Sequence, residues 1–222
     1  RRAHECAQCT VCVRFCAGQN HLPPAYLMSG KETAMTDLIP IRTTDMPTEM
    51  NALLHDYPRD AWAANPHFAK STRQWMRAHE KFRVLSDHLH AQTTGFLDRS
   101  VDPDGFADHL GRYGTALVRN LHGHHHFEDR EFFPELSAAD PRFDVGLEIL
   151  EKDHAALDQV LENFSRTGSR VIKLVQLDEA AAREEAGILE TQTRAIRAFL
   201  DRHLGDEEDL AVPVILHHAL RG

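Results

Sequence analysis

Two histidine–glutamate pairs with the same internal spacing occur in this chain, and each is followed by a proline at the same distance. The pairs are His124 with Glu128 and His203 with Glu207. On an α-helix, a histidine and a carboxylate four residues apart lie about 40° and roughly 6 Å from each other on one face. Each pair therefore directs an imidazole and a carboxylate towards one point, and this combination of ligands suits a metal ion.

The segments that carry these pairs have the pattern of amphipathic helices. Apolar residues recur at alternating intervals of three and four, which is typical of core-facing stripes in a helical bundle. The two pairs, together with the single histidines His79 and His154, occupy positions within those stripes. Proline and aspartate signals mark the helix starts. The predicted helices span about residues 65–99, 102–136, 140–169 and 177–211.

Charged groups in such stripes need partners, because burying an unpaired carboxylate costs several kcal/mol. The sequence therefore predicts an all-α four-helix bundle with a metal site in its core. His125 and Asp158 are additional candidates for the metal or its surroundings, since His125 lies about 100° round from His124 and Asp158 follows His154 by one turn. The alternative is a polar core in which the histidines only form hydrogen bonds. The predicted ligands are His79, His124, Glu128, His154, His203 and Glu207.

At these positions the chain resembles the hemerythrin-like, or HHE cation-binding, family over about residues 67–217. The resemblance rests on HEKFRVL from His79, HHHFEDREFFPEL from His124, LEKDHAALDQVL around His154 and HLGDEEDLAVPVI from His203. It implies an up-and-down four-helix bundle that holds a non-haem di-iron centre through the six predicted ligands. The implied cofactors are two iron ions, with a bridging oxygen species between them.

The chain departs from the oxygen-carrying hemerythrins at two positions. Their third helix has two histidines four residues apart, whereas Asp158 stands four residues after His154 here. Their fourth-helix carboxylate follows the histidine by five residues, whereas Glu207 and Glu208 follow His203 by four and five, so either one could bridge two metals. With one nitrogen ligand fewer, the function is not restricted to reversible oxygen carriage.

The functional prediction is a non-haem di-iron protein that binds or senses O2 or other small redox ligands, or handles iron. The alternative is a di-iron enzyme that acts on peroxide or nitric oxide. The predicted partner is accordingly a small diatomic or peroxide ligand, and the sequence identifies no protein partner.

Composition limits the partners and the cellular location that we expect for this chain. The chain has 222 residues, a net charge of −9 and a mean hydropathy of −0.44. It contains no basic stripe and no apolar run of the ~18 residues that a membrane span needs, so neither nucleic acid nor a membrane is expected as a partner. All four cysteines lie within the first 16 residues. The rest of the chain lacks cysteine, which fits a cytoplasmic location.

The cysteines form a separate motif, in which Cys6, Cys9, Cys12 and Cys16 have the spacing C-x2-C-x2-C-x3-C. This spacing resembles the cluster-binding run of bacterial ferredoxins, and four thiolates could hold an iron–sulfur cluster or a zinc ion. The favoured interpretation is that Met35 begins the natural protein and that the residues before it are disordered upstream sequence. The predicted organisation is a cysteine-rich prefix at 1–35, an irregular arm at 36–64 and the bundle at 65–219.

Overall fold

The computed structural model describes residues 42–221, and the cysteine motif lies outside this range. Within the described residues the chain is helical and contains no strand, which confirms the predicted all-α class. A 3-10 turn, Pro141–Phe143, joins the second long helix to the third, and two 3-10 helices, Thr48–Asn51 and Arg59–Ala64, precede the bundle. The long helices are α1 (Lys70–Leu97), α2 (103–139), α3 (Asp144–Leu177) and α4 (Glu179–His218).

Aspartate caps begin two of the long helices, as the sequence predicts. The Asp102 carboxylate accepts the backbone N–H of Gly105 at 2.8 Å, and Pro103 is the first residue of α2. The Asp178 carboxylate accepts the N–H of Ala181 at 3.1 Å at the start of α4. These bonds satisfy backbone donors that a helix leaves unpaired in its first turn.

Helix α2 is continuous but not uniform. Two five-residue π-helical segments, Leu110–Gly114 and Glu128–Phe132, interrupt its α-helical hydrogen bonding. The second π segment begins at a predicted metal ligand, Glu128. Such segments are often found where a helix carries functional side chains, because the wider turn changes which residues share a face.

Two predicted helix ends are wrong because tertiary packing outweighs local signals. The Thr167-Gly168-Ser169 sequence was predicted to end the third helix, but α3 continues to Leu177. Thr167 is buried, and a Cβ built on Gly168 would lie 3.8 Å from Leu110 of α2, so this stretch packs within the bundle. Helix α4 similarly continues past the predicted end at 211 to His218, with Pro213 inside it.

The first long helix begins later than predicted. Asn65 forms a turn instead, in which its side-chain oxygen accepts the N–H of His67 at 2.9 Å. This local bond gives the backbone an alternative to helix, as asparagine often does. Helix α1 therefore starts at Lys70.

The four helices form an up-and-down bundle in which α4 packs against α1 and α3, and α2 completes the ring between α1 and α3. Two apolar clusters fill the core, and the predicted metal ligands lie in a polar layer between them. The first cluster includes Leu121, Leu157 and Leu200, and the second includes Phe132, Leu150 and Leu210.

In the described part of the chain, no helix combines the length and apolarity needed to cross a membrane.

The arm that precedes the bundle lies against its second cluster. Met46, Met50 and Leu53 are buried there, and Trp62 is buried against Phe68 beside the adjoining part of α4. Burial of these apolar side chains stabilises the docked arm, since each removes apolar surface from water.

The contact between the arm and α3 makes a testable prediction. A Cβ built on Gly146 would lie 2.3 Å from Leu210 Cδ1 and 2.9 Å from Met50 Sδ, whereas Gly187 has no atom within 4 Å. We expect Gly146→Ala to be less stable than Gly187→Ala by about 1–3 kcal/mol, because overpacking outweighs the helix propensity that both variants gain. Urea unfolding of the two variants measures this difference, and equal stability would mean that the core relaxes freely at Gly146.

Candidate metal centre

One half of the polar layer is formed by His79, His124, Glu128 and Glu207, from helices α1, α2 and α4. Each offers one potential ligand atom, and these atoms all lie within 4.8 Å of one another. Glu128 Oε1 lies 2.8 Å from His124 Nε2, and Glu207 Oε2 lies 3.5 Å from His79 Nε2. This half is called group A below.

The other half, called group B, consists of His125, His154 and His203, from helices α2, α3 and α4. Their potential ligand nitrogens are also within 4.8 Å of one another, and all three side chains are buried. The His125 ring stacks on the His154 ring with centroids 4.0 Å apart. His124 and His125 are adjacent in sequence, so α2 supplies one imidazole to each group.

Glu128 connects the two groups. Its Oε1 contacts His124 in group A, and its Oε2 lies 3.8 Å from His154 Nε2 in group B. Trp75 fixes this carboxylate by donating a hydrogen bond from Nε1 to Oε1 at 2.6 Å. All six predicted ligands are thus brought together in two adjacent groups, and a carboxylate lies between the groups.

Several buried atoms in the layer lack hydrogen-bond partners among the described residues. They are both oxygens of Glu207, both ring nitrogens of His125, one oxygen of Glu128 and Nδ1 of His203. Glu207 and Glu128 are fully buried. Since buried polar groups are nearly always satisfied in folded proteins, such a concentration of orphaned atoms fits a site built around cations.

The facing histidine nitrogens fit the same interpretation. The Nε2 atoms of His79 and His124 are 2.9 Å apart, and those of His154 and His203 are 3.1 Å apart. His154 Nδ1 lies 2.7 Å from the Asp129 carboxylate, which assigns the ring proton to Nδ1 and leaves a lone pair on Nε2. A cation between two such lone pairs replaces their repulsion with attraction, so the residues present fit a metal.

Burial separates the protonation states of the two carboxylates. Burial raises the pKa of Glu207 well above its ordinary value, and the negative charge of Glu128 raises it further. Burial also opposes ionisation of Glu128, but the contacts with His124, His79 and His125 together outweigh it and hold the pKa of Glu128 well below its ordinary value. Two carboxylates this close do not both ionise unless a positive charge joins them.

Burial also favours the neutral form of three of these histidines, His203, His125 and His124. It lowers the pKa of His203 to about 4 and that of His125 well below its ordinary value, with the neighbouring His154 adding to the effect in both. Burial lowers the pKa of His124 as well. Neutral imidazole is the form that binds a metal, so these histidines are ready for ligation near pH 7.

Three carboxylates at the outer edge of the layer, here called the outer carboxylates, each orient one histidine on the neighbouring helix of the ring. Asp129 of α2 contacts His154 of α3 at 2.7 Å, and Asp153 of α3 lies 3.5 Å from His203 of α4. Each contact is made to Nδ1, so each Nε2 points into the layer. Glu208 of α4 completes the pattern by contacting His79 Nδ1 of α1 at 3.0 Å. A carboxylate on the far nitrogen fixes the ring and makes it a stronger ligand.

The arm binds two of these outer carboxylates. The Arg42 guanidinium donates to Asp153 at 2.8 Å and to Asp206 at 2.5 Å. Arg59 donates to Glu208 at 2.8 Å. The arm therefore takes part in positioning one histidine in each group, through Asp153 for His203 and through Glu208 for His79.

The three additional candidates from the sequence have different positions. His125 is buried in group B. Glu208 points away from the layer, towards His79 Nδ1, Arg59 and Arg83, whereas Glu207 points into group A. Asp158 belongs to neither group: its side chain is 56% exposed and pairs with His122 at 3.3 Å. One turn above His154, the inward position of α3 is taken by Leu157, which turns Asp158 outwards.

Sequence reasoning missed Asp129, Asp153 and the two arm arginines. A local signal for the carboxylates exists, because Asp129 follows Glu128 and Asp153 precedes His154, just as Glu208 follows Glu207. A carboxylate next to a ligand on one helix thus supports a histidine on the next helix. No comparable signal marks Arg42 or Arg59, which reach the site only because the arm folds back.

The bundle and its buried layer define a helical protein with a cation-binding core. The sequence profile of the hemerythrin HHE cation binding domain matches residues 70–215, which is more than half of the chain. The chain therefore belongs to the hemerythrin HHE cation-binding family, and the predicted resemblance is confirmed. No significant match was found among curated proteins or among solved structures.

The contact between Arg59 and Glu208 predicts a pH-dependent stability in the metal-free protein. Burial alone would raise the pKa of Glu208, but hydrogen bonds from His79, Arg59 and Arg83 lower it from 4.5 to about 2. A carboxylate with a lowered folded-state pKa contributes stability above its unfolded pKa and loses it as the pH falls towards the folded value. We therefore expect Arg59→Gln to reduce the free energy of unfolding most at pH 5–6, and progressively less towards pH 2.

Urea unfolding between pH 2 and 6 measures this effect. Arg197→Gln is a suitable control, because Arg197 pairs at the surface with Asp87, whose side chain is 59% exposed. Such exposed pairs contribute only about 0–1 kcal/mol. A pH-independent difference between Arg59→Gln and the unmodified protein would contradict the role assigned to Glu208.

Proposed function

We propose that this chain binds two iron ions in the buried layer, one at each group, and uses them to bind or sense O2 or another small redox ligand. The observation that carries the proposal is the two adjacent groups of buried imidazoles and carboxylates, several of whose polar atoms have no other partner. Metal sites, di-iron centres among them, are built in bundle cores from side chains on facing helices, and imidazole together with carboxylate suits iron.

In this proposal the ligand set has five imidazoles and two carboxylates. Imidazole with carboxylate suits iron, and also zinc or manganese. His125 supplies from α2 the fifth nitrogen that the resemblance would place on the third helix, where Asp158 stands. Glu128 lies between the two positions, and Glu207 adds a carboxylate at group A. With His125, the proposed set has as many nitrogen ligands as the oxygen-carrying hemerythrins. The six ligands predicted from the sequence include one nitrogen ligand fewer.

Iron in this layer would supply one-electron redox chemistry and an exchangeable position for a small ligand. The chain's own residues create the surroundings. Leu121 and Leu157 on one side, and Phe132 and Leu150 on the other, exclude bulk water from the layer. Trp75 keeps Glu128 in place through its hydrogen bond. Exclusion of water strengthens the interaction between the buried carboxylates and any cation.

An enzyme that acts on peroxide or nitric oxide is the second candidate, and Asp129 favours it. Its side chain is 38% exposed, yet it contacts His154 Nδ1 at 2.7 Å in group B. A carboxylate that touches both solvent and a buried ligand can carry a proton between them. Disproportionation of peroxide requires proton transfer between the two peroxides, and reduction of nitric oxide by an external electron donor consumes protons.

The first prediction of this proposal concerns metal content. We expect the full chain, produced with iron supplied, to contain about two irons per chain in addition to any iron accounted for by acid-labile sulfide. His124→Ala and Glu207→Ala should each contain about one iron or fewer, because each removes a ligand from group A. Elemental analysis with a sulfide assay measures this, and far-ultraviolet circular dichroism checks that the helices remain.

His217→Ala serves as the matched control, since His217 is exposed on α4 beyond the layer. It should retain the full iron content. Full iron in His124→Ala would contradict the ligand assignment. Fewer than two irons in the unmodified chain, beyond those matched by acid-labile sulfide, would exclude a di-iron centre whether or not zinc is also present. Chelation should lower the melting temperature, because a ligand that binds only the folded state stabilises it.

The second prediction separates a ligand-binding protein from an enzyme. We expect the iron-loaded chain to show a saturable change in its visible spectrum with O2 or nitric oxide, and to consume no more than about two equivalents of peroxide per chain. An oxygen electrode measures peroxide disproportionation, in which two peroxides yield one O2 and two waters. Sustained O2 release over many equivalents would instead favour the enzyme.

A further inference from the structure

A cleft of about 550 Å³ opens on the surface between α2 and α3. Its lining includes residues of both helices, with Ala155 and Gln159 among the α3 contributors. Its titratable lining residues are three histidines and three carboxylates. They are His122, His125, His126, Asp129, Asp158 and Glu162.

The charge of the cleft suits a cation. Three carboxylates line it, and among the described residues that do so there is no lysine or arginine. His122 and Asp158 are both about half exposed and lie 3.3 Å apart at the rim. A concave surface lined by one sign of charge concentrates counter-ions and raises their rate of association.

The floor of the cleft belongs to the polar layer. His125 lines the cleft although its residue is only 3% exposed, and neither of its ring nitrogens has a hydrogen-bond partner. The same ring stacks on His154 and belongs to group B. A second cleft residue, Asp129, touches His154 on its other side. Two side chains, His125 and Asp129, thus join the cleft to the buried histidines, and of these two His125 is the one that belongs to group B.

The outer carboxylates that orient His79 and His203 do not line the cleft, and arginines bind them. Glu208, behind His79, is bound by Arg59 and Arg83, and Asp153, behind His203, is bound by Arg42. These arginines place positive charge on the α3–α4 and α4–α1 sides of the layer. The cleft between α2 and α3 therefore offers the negatively charged approach to the layer.

We propose that the cleft is a docking site for a hydrated divalent cation and the route by which that cation reaches the buried layer, with His125 as its first buried ligand. Asp158 and Glu162 hold the hydrated ion at the rim without displacing much of its water. The ion then exchanges one of its waters for a free ring nitrogen of His125. From His125 it moves on to His154 and His203. This inference rests on the proposed function, because it requires a metal site in the layer.

The test is the rate at which metal-free full chain takes up Co²⁺, used as a coloured probe that does not oxidise in air. We expect the double variant Asp158→Asn/Glu162→Gln to take up Co²⁺ about tenfold more slowly at low ionic strength, since electrostatic steering accounts for about 10–10³-fold in such rates. High salt should remove most of this difference, because it screens exposed charges. The final Co²⁺ content should equal that of the unmodified chain.

The matched control is Glu148→Gln/Glu184→Gln, which removes the same charge from exposed positions outside the cleft. Its uptake rate should equal that of the unmodified chain. The cysteine-containing prefix is common to all three proteins, so it does not affect the comparison. Stopped-flow absorbance gives the rate, and elemental analysis gives the final content.

The possible outcomes are distinct. Equal uptake rates in the cleft and control variants would overturn the route, even with the metal content intact. A lower final content in the cleft variant would also overturn it, because the two acids would then belong to the site itself. Absence of bound metal in the layer of the unmodified chain would instead reject the proposed function, and the route with it.

Discussion

The structure depends on one electrostatic constraint: two carboxylates and five imidazoles lie in a bundle core from which water is excluded. Such a layer is unfavourable unless each charge and lone pair is matched. The protein itself matches part of the outer half of the layer. Asp129 and Glu208 contact Nδ1 of His154 and His79, and Asp153 lies 3.5 Å from Nδ1 of His203. The inner half, including both oxygens of Glu207, is left for cations.

This division explains the role of the arm. Arg42 and Arg59 do not touch the layer, but they neutralise outer carboxylates that orient His203 and His79. Folding of the arm onto the bundle and orientation of the ligands are therefore coupled through charge. Membership of the HHE cation-binding family is consistent with this arrangement and establishes metal binding in general. The identity of the metal and its chemistry belong to the proposals.

The layer also differs between its two halves. Group A contains two fully buried carboxylates and lies behind Trp75, whereas group B contains only histidines and adjoins the cleft through His125. A neutral, histidine-lined half next to an acidic cleft favours exchange of ions or small ligands there. The charged and enclosed group A favours retention of bound ions. The same asymmetry supports the proposed uptake route.

The sequence by itself determined the bundle and the six predicted ligands that the structure brings together, because helical periodicity fixes which side chains share a face and a polar group in an apolar stripe is conspicuous. It left the choice between Glu207 and Glu208 open, and it suggested Asp158, which lies at the surface. Only the tertiary structure decided these points, since they depend on how neighbouring helices face each other. The supports from Asp153 and Arg42 connect residues distant along the chain, and no local spacing encodes such contacts.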